Sequence, residues 1–191
     1  LGRFDQGKLK RIKISPDQEN LKSYYPHPRS EAIAHAIISH QIGFTNQCIR
    51  LGFSHAEGEE TMFDQTLVNL ISYTLFQDEA PLLNPLRRDT SFTSEFEASF
   101  ADSPPHYNLK KLNLRTRLFE YRCSYMLKSK IFKTLPAEVR EIFFTRLRQV
   151  ILDPAVQLKN ERVQLEPDQR KRIHHALSFH FPLYQEMKKA P

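Results

Sequence analysis

Between Arg29 and Leu51 the apolar residues recur at three- and four-residue spacings. At 100° per residue, Ile33, Ile37, Phe44, Cys48 and Leu51 gather on one side, and Ile38, Ile42 and Ile49 widen the apolar arc to about half the circumference. The opposite strip holds Ser39, Gly43, Asn46, Gln47 and Arg50, with His35 at one margin and His40 at the other. This pattern predicts an amphipathic helix with a wide buried face. Gln41 and Thr45 fall inside the apolar arc, where an unpaired polar group costs about 1–3 kcal/mol, so both are expected to bond to a neighbouring helix or to line a cavity. Ser54-His55-Ala56-Glu57 has the order of a capping box and predicts the start of a second helix. That helix carries Phe63, Leu67, Leu70, Ile71 and Leu75 inward and stops at Pro81. The short join predicts that the two helices lie antiparallel.

Farther along, "FTSEFEASF" reads as a brief helix, and "LNLRTRLF" and "YRCSYMLKSKIF" are helical by spacing. Pro136 opens a stronger helix with Val139, Ile142, Phe143, Leu147, Val150 and Ile151 in one stripe, closed by Asp153-Pro154. "AVQLKNERVQLE" reads as a linker to a last helix that opens at Pro167 and buries Ile173, Ala176 and Leu177. Residues 1–28 read as an extended arm, in which Leu9, Ile12 and Ile14 alternate as either one short strand or an extended edge, up to a corner at Tyr24-Tyr25-Pro26. The expected fold class is therefore all-α, a single bundle-like domain of about six helices over residues 29–191 behind that arm.

Composition narrows the class further. Five glycines against twelve prolines disfavour a turn-rich β-sandwich and suit helices stopped at proline corners. No apolar run approaches the roughly 20 residues of a membrane span. The net charge is +6, but 28 Lys and Arg are interleaved with 22 Asp and Glu, so the basic balance hints only weakly at nucleic acid. "KLKRIK", "RLR" and "RKRIHH" would attract phosphate if they converged in space, which is the nucleic-acid alternative.

Four segments resemble a family of uncharacterised, exported bacterial proteins: "DEAPL" at Asp78 to Leu82, "RDTSFTSEF" at Arg88 to Phe96, "LNLRTRLFEYRCSYML" at Leu112 to Leu127, and "LPAEVREIFFTRLRQVI" at Leu135 to Ile151. The similarity runs from about Phe76 to Pro154. It implies an all-helical region at the C-terminal end of a longer exported polypeptide, a periplasmic or cell-envelope setting, and the company of c-type cytochromes. It implies no activity. "ADSPPHYN" and His174-His175 depart from the family pattern.

The candidate chemistry is sparse. His35 and His40 are five residues apart, about 140° around a helix, so they do not share one metal ion as an i, i+4 pair would. Each remains a candidate single ligand to a metal, with companions such as His27, His55, His106 or Asp64. That is the alternative of a metal- or cofactor-dependent enzyme. Covalent c-type haem needs C-x-x-C-H, whereas Cys48 and Cys123 stand 75 residues apart. Those two either form a disulfide, for which chain entropy gives about 4 kcal/mol, or are buried thiols. Asp78 and Glu79 are adjacent carboxylates, read either as an acid–base pair or, more readily, as a solvated turn. The expected function is a non-enzymatic binding or structural module without a cofactor, joined to protein partners in a larger assembly.

Overall fold

The computed structural model describes residues 2–5, 8–11, 32–77, 79–82, 84–86, 90–100, 104–159 and 161–186. The expectations for Ile12, Ile14, the Tyr24–Pro26 corner, His27 and Asp78 fall outside them. The chain divides into two compact units, Leu1–His35 and Ala36–Pro191. In the first, β1 (Gly2–Asp5) pairs antiparallel with β2 (Lys8–Arg11), so the strand expected around Leu9 is half of a hairpin. Seven α-helices follow among the described residues, and the fold is mostly helical. No helix of the described residues is long and apolar enough to cross a membrane.

Helix α1 (Ala32–Glu57) begins in the first unit and runs through the second. It does not stop at Leu51. The Ser54 hydroxyl, expected to cap a new helix, instead donates back to the Leu51 carbonyl at 3.0 Å and meets Thr66 Oγ1 at 2.7 Å. The break comes at Gly58, whose φ of +71° a residue without Cβ adopts freely. Helix α2 (Glu60–Thr74) returns antiparallel, as the short join predicted, with Ser54 beside Thr66 at one end and Tyr73 Oη donating to the His40 carbonyl at 3.2 Å at the other. It ends at Leu75, well before Pro81.

Helix α3 (Thr90–Ala98) occupies the expected "FTSEFEASF" stretch. "LNLRTRLF" is not a helix. Leu112 and Phe119 form an isolated antiparallel bridge around a tight turn, in which the Asn113 side chain accepts from the Arg115 and Thr116 N–H groups. "YRCSYMLKSKIF" is helical only in part, as a 3-10 turn over Tyr125–Lys128 and α4 (Lys130–Lys133). Helix α5 (Ala137–Leu152) starts after Pro136 as expected, although Ile142 faces out. The expected linker contains a small hairpin, β3 (Gln157–Leu158) with β4 (Glu161–Arg162), before α6 (Pro167–His180) and α7 (Pro182–Glu186).

The core of the second unit is built around two groups of rings. His40, Phe44, Tyr73, Phe76, Phe119 and Tyr125 form one, with ring centroids 4.8–6.5 Å from His40. Phe132, Phe143, Phe144, Phe181 and Tyr184 form the other, and Phe44 joins them through Phe132 at 6.3 Å. Such tilted and edge-to-face contacts add about 0.5–1.5 kcal/mol each beyond the apolar burial.

Candidate functional site

Helix α1 carries two apolar seams rather than one wide face. Ile37, Phe44, Cys48 and Leu51 are buried as expected, and His40 is buried with them at 7% exposure. Ile38, Ile42, Ile49 and Phe53, by contrast, are 53%, 56%, 42% and 66% exposed. Their spacing of four, seven and four residues, with half-buried Thr45 between, traces a stripe about 150° around the helix from the buried one. The expectation that Ile38, Ile42 and Ile49 extend the buried arc is thus corrected. A core element of this diameter presents its full width to neighbours only when surrounded, and among the described residues α1 is covered on one side.

On the inner side, His40 leaves the margin of the predicted polar strip and enters the ring cluster. Its ring stacks on Tyr73 at 5.4 Å and on Phe76 at 4.8 Å. Gly43 makes this possible, because a Cβ there would lie 2.6 Å from Tyr73 Cζ. Nε2 of His40 lies 2.8 Å from Ser124 Oγ. Ser124 Oγ also accepts the Met126 N–H at 3.1 Å. Burial lowers the His40 pKa to about 4, so the imidazole is neutral at pH 7. A serine hydroxyl on an imidazole has the reach of a nucleophile and its base. Ser124, however, is 1% exposed and caps the 3-10 turn that follows it, so the pair ties α1 to that turn.

A cavity of about 410 Å³ opens beside His40, with Ala36, Tyr73, Phe76, Glu79, Leu82 and Leu118 among its walls. Phe76 is held at φ +52°, a left-handed conformation rare for a bulky residue, and Arg122 Nη2 donates to its carbonyl at 2.6 Å. Glu79 is half-buried rather than a solvated turn residue, and one of its oxygens accepts the Leu118 N–H at 3.4 Å. Burial pushes its carboxyl pKa upward against the opposing pull of that bond and of Arg122 and Arg117.

The remaining predicted residues are dispersed. His35 is exposed. His55 Nε2 meets Glu138 at 2.8 Å, and His106 is exposed on a 3-10 turn. Among the described residues no three His, Cys, Asp or Glu side chains gather as metal ligands would. Cys48 and Cys123 are two buried free thiols, each with its pKa pushed up to about 12 by burial. Gln41 Nε2 donates to Tyr125 Oη at 3.0 Å, the inter-element bond its place in the apolar arc called for. In the basic "RKRIHH", Arg170 is buried and spends its guanidinium on the carbonyls of Val150, Ile151, Val163 and Leu165, so it is not a phosphate contact.

Sequence reasoning passed over Tyr73, Gly43 and Ser124. Gly43 was the readable sign, since a glycine inside an apolar-patterned helix commonly marks a close approach. Compared with protein-family models, with curated proteins and with solved structures, the chain matches none.

Proposed function

We propose that this protein is a docking module, which binds an amphipathic helix of a partner protein along the outward seam of α1. The observation that carries the reading is the exposed stripe of Ile38, Ile42, Ile49 and Phe53 on one helix. Exposed apolar side chains aligned this way are what helix-in-groove and coiled-coil partners cover. The flanks of the stripe support the same reading. From Ala32 to Phe53, Arg50 is the one formally charged side chain, and the rest of the polar residues are neutral. A helix lying on an anionic membrane carries Lys and Arg beside its apolar face, and a phosphate-binding helix does likewise. A seam bordered by Ser39 and Asn46 suits another protein instead.

Covering four large apolar side chains is worth about 1.5–3 kcal/mol each when burial is complete. Association itself costs about 4–15 kcal/mol, so the seam alone supports a weak complex. That balance fits an accessory subunit held by several contacts within a larger assembly. The sequence resemblance supports setting that assembly in the bacterial periplasm or envelope, beside cytochrome-containing proteins. The test is the double variant Ile42→Glu, Ile49→Glu. Its purified form unfolds with wild-type cooperativity, while the protein isolated from its native source elutes free of the assembly that wild type joins. An unchanged assembly would contradict the proposal.

A further inference from the structure

We propose that the cavity beside His40 binds a small neutral phenol or aromatic alcohol, with its ring against Tyr73 and Phe76 and its hydroxyl on Glu79 and His40. This site is independent of the outward seam of α1. Its size comes first. At about 410 Å³ it is inside the range of ligand pockets, and an apolar cavity of about 150 Å³ is already enough for benzene.

The walls set the body of the ligand. Tyr73 and Phe76 supply aromatic surface, Leu82, Leu118 and Ala36 supply aliphatic surface, and a one-ring ligand in offset contact with the rings gains what ring pairs gain elsewhere in this core. Phe76 is kept at its wall position in a costly backbone conformation, fixed by the Arg122 bond to its carbonyl. Polar atoms set the functional group. One Glu79 oxygen accepts the Leu118 N–H, and the other is an acceptor for a ligand donor. His40 has Nε2 engaged by Ser124, which leaves Nδ1, a donor or an acceptor according to the tautomer, for a ligand hydroxyl. A hydroxyl is both donor and acceptor, so it answers both groups.

Charge selects a neutral molecule. An anion meets the Glu79 carboxylate, and Arg117 and Arg122 already counter that carboxylate, so a cation gains little from it. A ketone or ether would leave the Glu79 oxygen without a donor.

The test is titration of the full-length, 15N-labelled protein with 4-ethylphenol, followed by amide shifts. Ethylbenzene lacks the hydroxyl, and 4-ethylbenzoate replaces it with an anion. The proposal expects saturable shifts at Phe76, Leu82 and Leu118 with 4-ethylphenol, and binding of the two comparators weaker by about tenfold or more, as for a lost bond to a charged group. Glu79→Gln weakens 4-ethylphenol by a similar factor and leaves ethylbenzene unchanged. Ala36→Phe, which fills the cavity from a half-buried position, removes the shifts while the amide spectrum stays folded. No saturable shift at low-millimolar probe, equal affinity for ethylbenzene, or an indifferent Glu79→Gln variant would each overturn it.

Discussion

At Gly43 an added methyl group collides with the Tyr73 ring, whose own position is set by the stack on His40 and the bond to its carbonyl. In an exposed helix interior, Gly→Ala gains about 1 kcal/mol. Here Gly43→Ala is expected to lose about 1 kcal/mol or more, because the ring must move out of a packed place, and urea unfolding reads the sign directly. In a Tyr73→Ala background the same substitution is expected to stabilise. His40 supplies a pH prediction. Its pKa is about 4 in the folded protein against 6.5 as the ordinary value, so the unfolded chain takes the proton first as pH falls. The stabilising contribution is complete above about pH 6.5 and is lost between 6.5 and 4, amounting to about 3 kcal/mol. Unfolding curves across that window are expected to show a smaller loss in His40→Gln than in wild type, the remainder including His180, whose pKa burial also lowers. Neither residue's role was readable from the chain alone. The helical period places His40 at the margin of the predicted polar strip, and the Ser124 hydroxyl that holds it inward lies 84 residues away.

Elements were legible where one strong pattern ran uninterrupted. The α5 and α6 starts at Pro136 and Pro167 and the antiparallel α1–α2 pair follow from proline chemistry and a short join. The pattern misled where apolar spacing fitted two geometries. Leu112, Leu114, Leu118 and Phe119 are all buried, yet they line a turn, with Leu114 at φ +60° and the Asn113 side chain holding two N–H groups. Asn113 was the sign of that turn in the sequence. Ser54 misled in the opposite direction, since its hydroxyl bonds equally well backward within a helix. Arg170 shows how a basic run is absorbed by an element junction. Its three nitrogens bind four carbonyls at 2.6–3.1 Å, two of them from the last turn of α5, where a cation also suits the negative helix end. Arg170→Met is expected to cost about 2–4 kcal/mol in denaturant unfolding, by leaving those carbonyls unpaired. Arg170→Lys is expected to recover little of that, because an ammonium cannot span the same set.

For the molecule as a whole, a mostly helical chain of net charge +6 leaves only Arg50 and Glu57 formally charged on one long helix and sets Ile38, Ile42 and Ile49 on that helix's outer side. The expected all-α class came from composition and period, both of which sum over many residues. The functional face could not be separated from the core by the same means, because Ile42 and Ile37 are identical as letters and differ only in what surrounds them. The account therefore turns on whether the outer seam meets a partner. A photo-crosslinking residue placed at Ile42 in the protein within its native cells tests this most directly, with Ile142, the exposed isoleucine of α5, as the comparison position. The account predicts one discrete adduct to another protein from position 42, lost when Ile49→Glu is added, and none from position 142. No adduct at 42, an adduct only to a second copy of the chain, or one that Ile49→Glu leaves intact would contradict it.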